Sequence, residues 1–339
     1  MARRCVILIA AALSLSACAT STRLSRSDPQ RIAHRTYVVT GASSGFGRGV
    51  ALKLGAMHAN VVLAARRTDV LDEVARGVRA AGGAALVVTT DVAQPDAVAR
   101  LAAAAVARFG RIDVWINNAG IGALGRFDTI PVADQARVID VNVKGTLYGS
   151  HAALRRFRDQ GFGTLVNIGS VESEVPLAYH ATYSASKAAV LSLGRALNQE
   201  LRLAGVGRQI RVATVMPWAA DTPFFSQAAN YSGHAGRMVM MDSPDQVVQA
   251  IVWVSVHPRE ELPVGWKAQG ASTAHHLMPD LTEHIAANIA HDQQMVKGAP
   301  TPPTAGAIYR PMPGTTGVEG GIRARMKAED ADRKAASPR

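Results

Sequence analysis

Tyr183 and Lys187 stand four residues apart in Tyr-Ser-Ala-Ser-Lys, and Ser170 lies thirteen residues before the tyrosine. On a helix, positions i and i+4 share one face, so a phenol and an ammonium so placed act on one small volume. A free phenol, with a pKa of about 10, is a poor base at neutral pH unless a nearby cation favours its anion. Lys187, together with the positive charge of an oxidised nicotinamide, would supply that field, Tyr183 would carry a proton to or from an oxygen, and the Ser170 hydroxyl would hold that oxygen. Proton transfer to oxygen reduces a carbonyl only if a hydride reaches the carbon. Thr-Gly-Ala-Ser-Ser-Gly-Phe-Gly, Thr40 to Gly47, points to the hydride carrier. Gly41, Gly45 and Gly47 let the backbone approach a pyrophosphate and present helix N–H groups to it, with Ser43, Ser44 and Phe46 in the same dinucleotide-binding loop.

The elements that must position these groups follow from hydrophobic patterning. Apolar, β-branched runs at 37–40, 61–65, 85–89, 112–116, 164–168, 210–215 and 262–264 alternate with amphipathic stretches at 46–57, 69–81, 95–109, 134–160, 183–203 and 244–256. That alternation predicts an α/β fold, a Rossmann-type doubly wound parallel sheet, in a single domain with a C-terminal extension. Strands covered by helices on both faces are apolar on both faces. Three parts are expected: a signal-like segment and tether over 1–35, a nucleotide-binding domain over 36–268, and a C-terminal helix with a Pro/Gly-rich arm over 269–339. In the extension, 273–295 reads as a helix broken near Pro279. Six Gly and five Pro within 298–321 predict an extended arm with Ile308, Tyr309, Met312 and Val318 as apolar anchors, and the charged stretch 323–339 reads as frayed.

Together with Asn117-Asn118-Ala119-Gly120 and Asn142 in Val-Asn-Val, the order and spacing of these motifs resemble the short-chain dehydrogenase/reductase superfamily from about residue 35 to about 265. The resemblance implies an oxidoreductase that reduces a carbonyl or oxidises an alcohol, with Asn142, Ser170, Tyr183 and Lys187 as its catalytic set and Asn142 positioning a water for a proton relay to Lys187. It also implies cofactor contacts at Asp91 and Val92 on the adenine side, at Asn118, Ala119 and Gly120, at Tyr183 and Lys187, and at Pro217 and Thr222. Trp218 departs from the pattern, standing where the family commonly has glycine; it either alters the nicotinamide side or walls the substrate pocket. Strand 61–65 ends in Arg66-Arg67, where an NAD-preferring site would place an acid, so Arg66 predicts NADP(H) over NAD(H). The long helices 134–160 and 183–203 resemble those that pair such subunits into homodimers or homotetramers. The alternative function is a membrane-associated, dinucleotide-binding sensor or scaffold with little turnover.

Composition narrows the field. The formal net charge is +11, and the amino end is densest in it: residues 1–35 carry six basic residues against one acid. The rest has no basic run interleaved with aromatics, which excludes a nucleic-acid partner. Cys5 and Cys18 are the two cysteines, so the folded region has no thiol chemistry. Four histidines of the extension, His275, His276, His284 and His291, lack metal-ligand spacing, and no metal is expected. Glu172 and Glu174 read as exposed loop carboxylates, the other reading being that they mark a polar or cationic substrate. Arg3-Arg4, an apolar run and Leu15-Ser16-Ala17-Cys18 resemble an export signal with a bacterial lipobox, which would leave Cys18 lipidated. The other reading is an uncleaved anchor, since 18 uncharged residues separate Arg4 from Arg23. The protein is thus expected at a membrane through its N-terminus, on the periplasmic side or on the cytoplasmic face of the inner membrane. Arg3-Arg4 also weakly resembles a twin-arginine signal, which exports cofactor-loaded proteins.

Overall fold

The computed structural model describes residues 22–336. Among them, seven strands form one parallel sheet. They are β1 (Thr36–Thr40), β2 (Asn60–Ala65), β3 (Ala84–Thr89), β4 (Val114–Asn117), β6 (Gly163–Ile168), β7 (Ile210–Pro217) and β9 (Glu261–Val264), in the order β3-β2-β1-β4-β6-β7-β9. The two short strands β5 (Ala123–Leu124) and β8 (Ala229–Asn230) pair separately, tying the loop after β4 to the loop after β7.

The strands are apolar throughout because both faces are covered. Tyr37 and Val39 of β1, with Val61 and Leu63 of β2, pack under helices Gly45–Gly55, Thr68–Ala80 and Pro244–Val256. Val38, Val62 and Ala64 point the other way, under helices Pro95–Phe109, Gly145–Gln160 and Ala181–Leu203. Strand order reverses between β1 and β4, and a crevice opens there beyond the carboxyl ends of the strands.

Three local expectations needed revision. The helix expected over 134–160 is three pieces: Val132–Ile139, a π-helical turn at Asp140–Lys144, and Gly145–Gln160. The extra residue in that turn carries Asn142 into the protein, a use of π-bulges common at functional sites. In the extension the break expected near Pro279 is present, between helices Gly265–Leu277 and Pro279–His291, but the helical run starts earlier, at Gly265, and ends in a second π-helical stretch, Asp292–Lys297. Pro279 starts a helix, where its missing N–H costs nothing. Residues expected to fray form helix Ile322–Ala336 instead. Its first turn is capped by a distant side chain: Asp221 accepts from the N–H groups of Ile322 (2.7 Å) and Arg323 (3.2 Å). Fully buried Arg237 then holds Glu329 and Asp330 at 2.8 and 2.7 Å. Neither contact is local in sequence. The signal and lipobox motifs lie within residues 1–21, outside the described residues; of the tether expected up to residue 35, Asp28–Ile32 is a helix packed on the domain, with Ile32 buried and Arg31 donating to the Val256 carbonyl at 2.6 Å. Among the described residues no helix is long and apolar enough to cross a membrane.

Candidate active site

Helix Ala181–Leu203 brings Tyr183 and Lys187 to the carboxyl edge of the sheet, with the Lys187 Nζ 5.6 Å from the centre of the tyrosine ring. Lys187 is buried and donates to the Ile168 carbonyl at the end of β6 at 2.7 Å. Burial pushes its pKa down to about 8, opposed by the Glu172 carboxylate. The Tyr183 phenol moves the opposite way from the sequence expectation. Burial and then Glu172 raise its pKa, while the Ser170 side chain pulls it down. This direction of shift favours the protonated phenol, the form that donates.

Ser170 follows β6 directly and opens a single 3-10 turn, Val171–Ser173. Its hydroxyl accepts from the Glu172 N–H (3.1 Å) while its own N–H goes to the Ser173 hydroxyl (3.2 Å), which fixes the serine in place. Asn142 does not open onto the cavity. Its side chain pairs twice with the Ile121 backbone at 2.9 Å and donates to Ser186 at 2.9 Å. A Cβ on Gly120 would lie 3.5 Å from both the Asn142 Oδ1 and the Lys187 Nζ, so the two polar groups flank one bare glycine.

The glycine loop is built for close approach. Gly41 and Gly45 have φ of +67° and +54°, a left-handed conformation that side chains disfavour. A Cβ on Gly47 would strike the Gly41 carbonyl and come within 2.5 Å of the Asn118 Nδ2. Asn118 donates to the carbonyls of Thr40 and Gly41 at 2.9 and 3.3 Å, and the Thr40 hydroxyl takes the Ala119 N–H, stitching the ends of β1 and β4 together. Asp91 accepts from the Ala93 N–H (3.0 Å) and from Arg137 (2.7 Å), and Val92 packs beside it. Thr222 takes the Phe224 N–H at 3.4 Å and approaches Gly45.

One cavity of about 470 Å³ gathers these groups. Gly41, Ser43, Ser44, Gly45, Phe46, Arg66, Asp91, Val92, Asn118, Ala119, Gly120, Ser170, Tyr183, Lys187, Pro217 and Thr222 line it; Gly47 and Asn142 stand behind the wall. A bare-backbone turn, arginines at one end and a phenol at the other fit an anionic dinucleotide. Beyond Tyr183 the wall is apolar. Phe224 lies against the tyrosine with ring centres 5.2 Å apart, and Trp218, its indole N–H bonded to the Val239 carbonyl (3.2 Å), lines the cavity with Met238, Ile285 and Ile289.

Two features were not legible in the sequence. Glu172 is buried, not exposed: it accepts from the Ser184 hydroxyl (2.7 Å) and pairs with His180 (3.1 Å), beside the catalytic candidates. Its partners lie eight and twelve residues on, and a bend brings them back. The other is the arm. The Arg66 guanidinium does not stand free at the end of β2; it donates to the carbonyls of Ala307, Ile308 and Tyr309 at 2.6, 3.2 and 2.9 Å. No sequence motif marks such main-chain partners. Among the described residues, no three His, Cys, Asp or Glu side chains converge as metal ligands.

Comparison with known proteins agrees with this geometry. A family model described as short chain dehydrogenase matches residues 35–231. The chain is 35% identical over 229 residues to 3beta-hydroxysteroid dehydrogenase 1 of Eggerthella lenta, covering 65% of this chain and 86% of the relative. It is 29% identical over 283 residues to the uncharacterized oxidoreductase YxnA of Bacillus subtilis, covering 83% and 79%. The structure of 3-ketoacyl-(acyl-carrier-protein) reductase from Brucella melitensis complexed with NADH superposes with a TM-score of 0.58 at 29% identity, over 66% of this chain and 91% of that one. The chain belongs to the short chain dehydrogenase family, an oxidoreductase that binds a dinucleotide.

Proposed function

We propose that the protein is an NADP(H)-dependent carbonyl reductase for bulky, apolar ketones or aldehydes, running in reverse as an alcohol dehydrogenase. The observation that carries this is that Tyr183, Lys187 and Ser170 line the same cavity as the glycine loop and Arg66. The bound nicotinamide would supply the hydride. Ser170 holds the substrate oxygen, and Tyr183 gives up its proton to that oxygen as charge builds there. Lys187, still protonated below about pH 8, steadies the phenolate left behind. Asn142 holds the Ile121 backbone in place and the Ile168 carbonyl holds Lys187. Trp218 and Phe224 exclude water from the carbonyl. The apolar wall suits a fused-ring or long-chain substrate, of the hydroxysteroid kind that names the Eggerthella relative. Mixing the purified protein with NADPH and a panel of apolar ketones, aldehydes and quinones tests the proposal; binding without loss of the reduced-nicotinamide absorbance on every one of them would favour a sensor or scaffold.

Preference for the 2'-phosphate is supported by Arg66, which replaces the acid that would repel it. Arg66→Asp should shift the ratio of kcat/KM toward NADH by about tenfold or more, the scale of losing one charge-assisted pair worth about 1.5–3 kcal/mol. Unchanged selectivity would assign Arg66 to holding the arm alone. We also propose that cleavage before Cys18 and lipidation of that cysteine anchor the domain to a membrane. Metabolic labelling with palmitate should mark the wild type and leave Cys18→Ser unmarked; equal labelling of both removes the lipidation.

A further inference from the structure

We propose that residues 306–317 of the C-terminal arm are part of the dinucleotide site, closing over its adenosine and pyrophosphate end so that the cofactor is retained between turnovers. This rests on the dinucleotide reading above. Ala307, Pro311 and Met312 line the same cavity as Arg66 and Asp91. The Gly317 carbonyl accepts from the Gly45 N–H at 2.9 Å, at the helix start where a pyrophosphate is expected.

Four arginines converge on the arm's main chain. Besides Arg66, Arg67 donates to the carbonyls of Met312 (3.2 Å) and Thr315 (3.4 Å), Arg48 to Thr316 (3.2 Å) and Arg137 to Ile308 (3.2 Å). Between 298 and 318 the arm has no Asp or Glu. It therefore orients the guanidinium groups with neutral dipoles and leaves their charge standing. Arg48 has Glu73 and Arg137 has Asp91 as ion-pair partners. Among the described residues Arg66 and Arg67 form no salt bridge, and Asp91 and Asp69 act on them only from a distance. Two partly buried, fixed and uncancelled cations beside a glycine turn are matched to phosphate oxygens.

The arm is fitted in place. Ile308 is fully buried, the Tyr309 hydroxyl donates to Asp134 at 3.0 Å, and the Ala307 N–H goes to the Gln227 carbonyl at 2.7 Å. Gly306 has φ of +53°, and a Cβ there would strike the carbonyls of Gln227 and Ala228. Gly306→Val must therefore lift the arm from its seat.

The test follows NADPH fluorescence as an excess of NADP+ displaces it from the full-length protein. Release from Gly306→Val should be at least tenfold faster than from the wild type. In case that variant folds poorly, amide hydrogen exchange on the unmodified protein is the second measurement: residues 304–317 should exchange at least tenfold more slowly with NADPH bound. If NADPH binds but leaves both the exchange of 304–317 and the release rate of Gly306→Val unchanged, the arm is no part of the site and the dinucleotide reading stands. If neither NADPH nor NADH binds at all, both proposals fall together.

Discussion

Tyr183→Phe should lower turnover by about a hundred- to ten-thousandfold, the usual contribution of one positioned proton donor. Only the hydroxyl goes; the ring stays against Phe224 and beside Lys187. NADPH affinity should consequently stay within about threefold of the wild type, as expected when an interaction made only in the transition state is removed. Steady-state kinetics and a fluorescence titration on the same preparation check the two halves. The pH profile adds a sign. Because burial holds the Lys187 pKa near 8, wild-type kcat/KM for carbonyl reduction should fall as pH rises through that value and the steadying charge is lost. A Tyr183→Phe enzyme with turnover near wild type would move the proton donor elsewhere, with Lys187 and Ser170, which line the same cavity, the nearest candidates.

Gly47→Val should weaken NADPH binding by about ten- to a hundredfold, since overpacking costs about 1–3 kcal/mol and each 1.4 kcal/mol is a factor of ten. The new Cβ would meet the Gly41 carbonyl and the Asn118 amide, which are main chain and a side chain already bonded to main chain. Neither can step aside without moving the turn. A calorimetric titration with a melting curve separates lost binding from lost folding. A folded variant that binds NADPH as tightly as the parent would show that the turn is structural and the dinucleotide lies elsewhere.

The sheet was legible because its code is local. Runs such as Val61 to Ala65 are apolar on both faces, and glycines such as Gly110 and Gly161 stop helices in a left-handed cap where the pattern ends. The residues lining the cavity were legible for a related reason: each lies at or near the carboxyl end of a strand or on one helical face, where spacing alone sets position. What the pattern missed depends on contacts across the chain. The π turn at Asp140–Lys144 leaves the hydrophobic period almost unchanged. Glu172 looks like a loop acid until Ser184 and His180 close over it. Helix Ile322–Ala336 has weak amphipathic character and stands because Asp221 and Arg237, about a hundred residues upstream, meet its backbone and its acids. The upward shift of the Tyr183 phenol was not legible because it comes from burial, which the fold sets and the Tyr183–Lys187 spacing does not show.

Trp218 has a practical consequence. Its indole is pinned by one hydrogen bond and lines the same cavity as the tyrosine and lysine, so it forms a built-in optical gauge. Indole emission overlaps the absorption band of a reduced nicotinamide, and energy passing from one to the other would dim the emission in proportion to occupancy. The ring placed where a flexible residue would be expected thus lets loading be followed without a label.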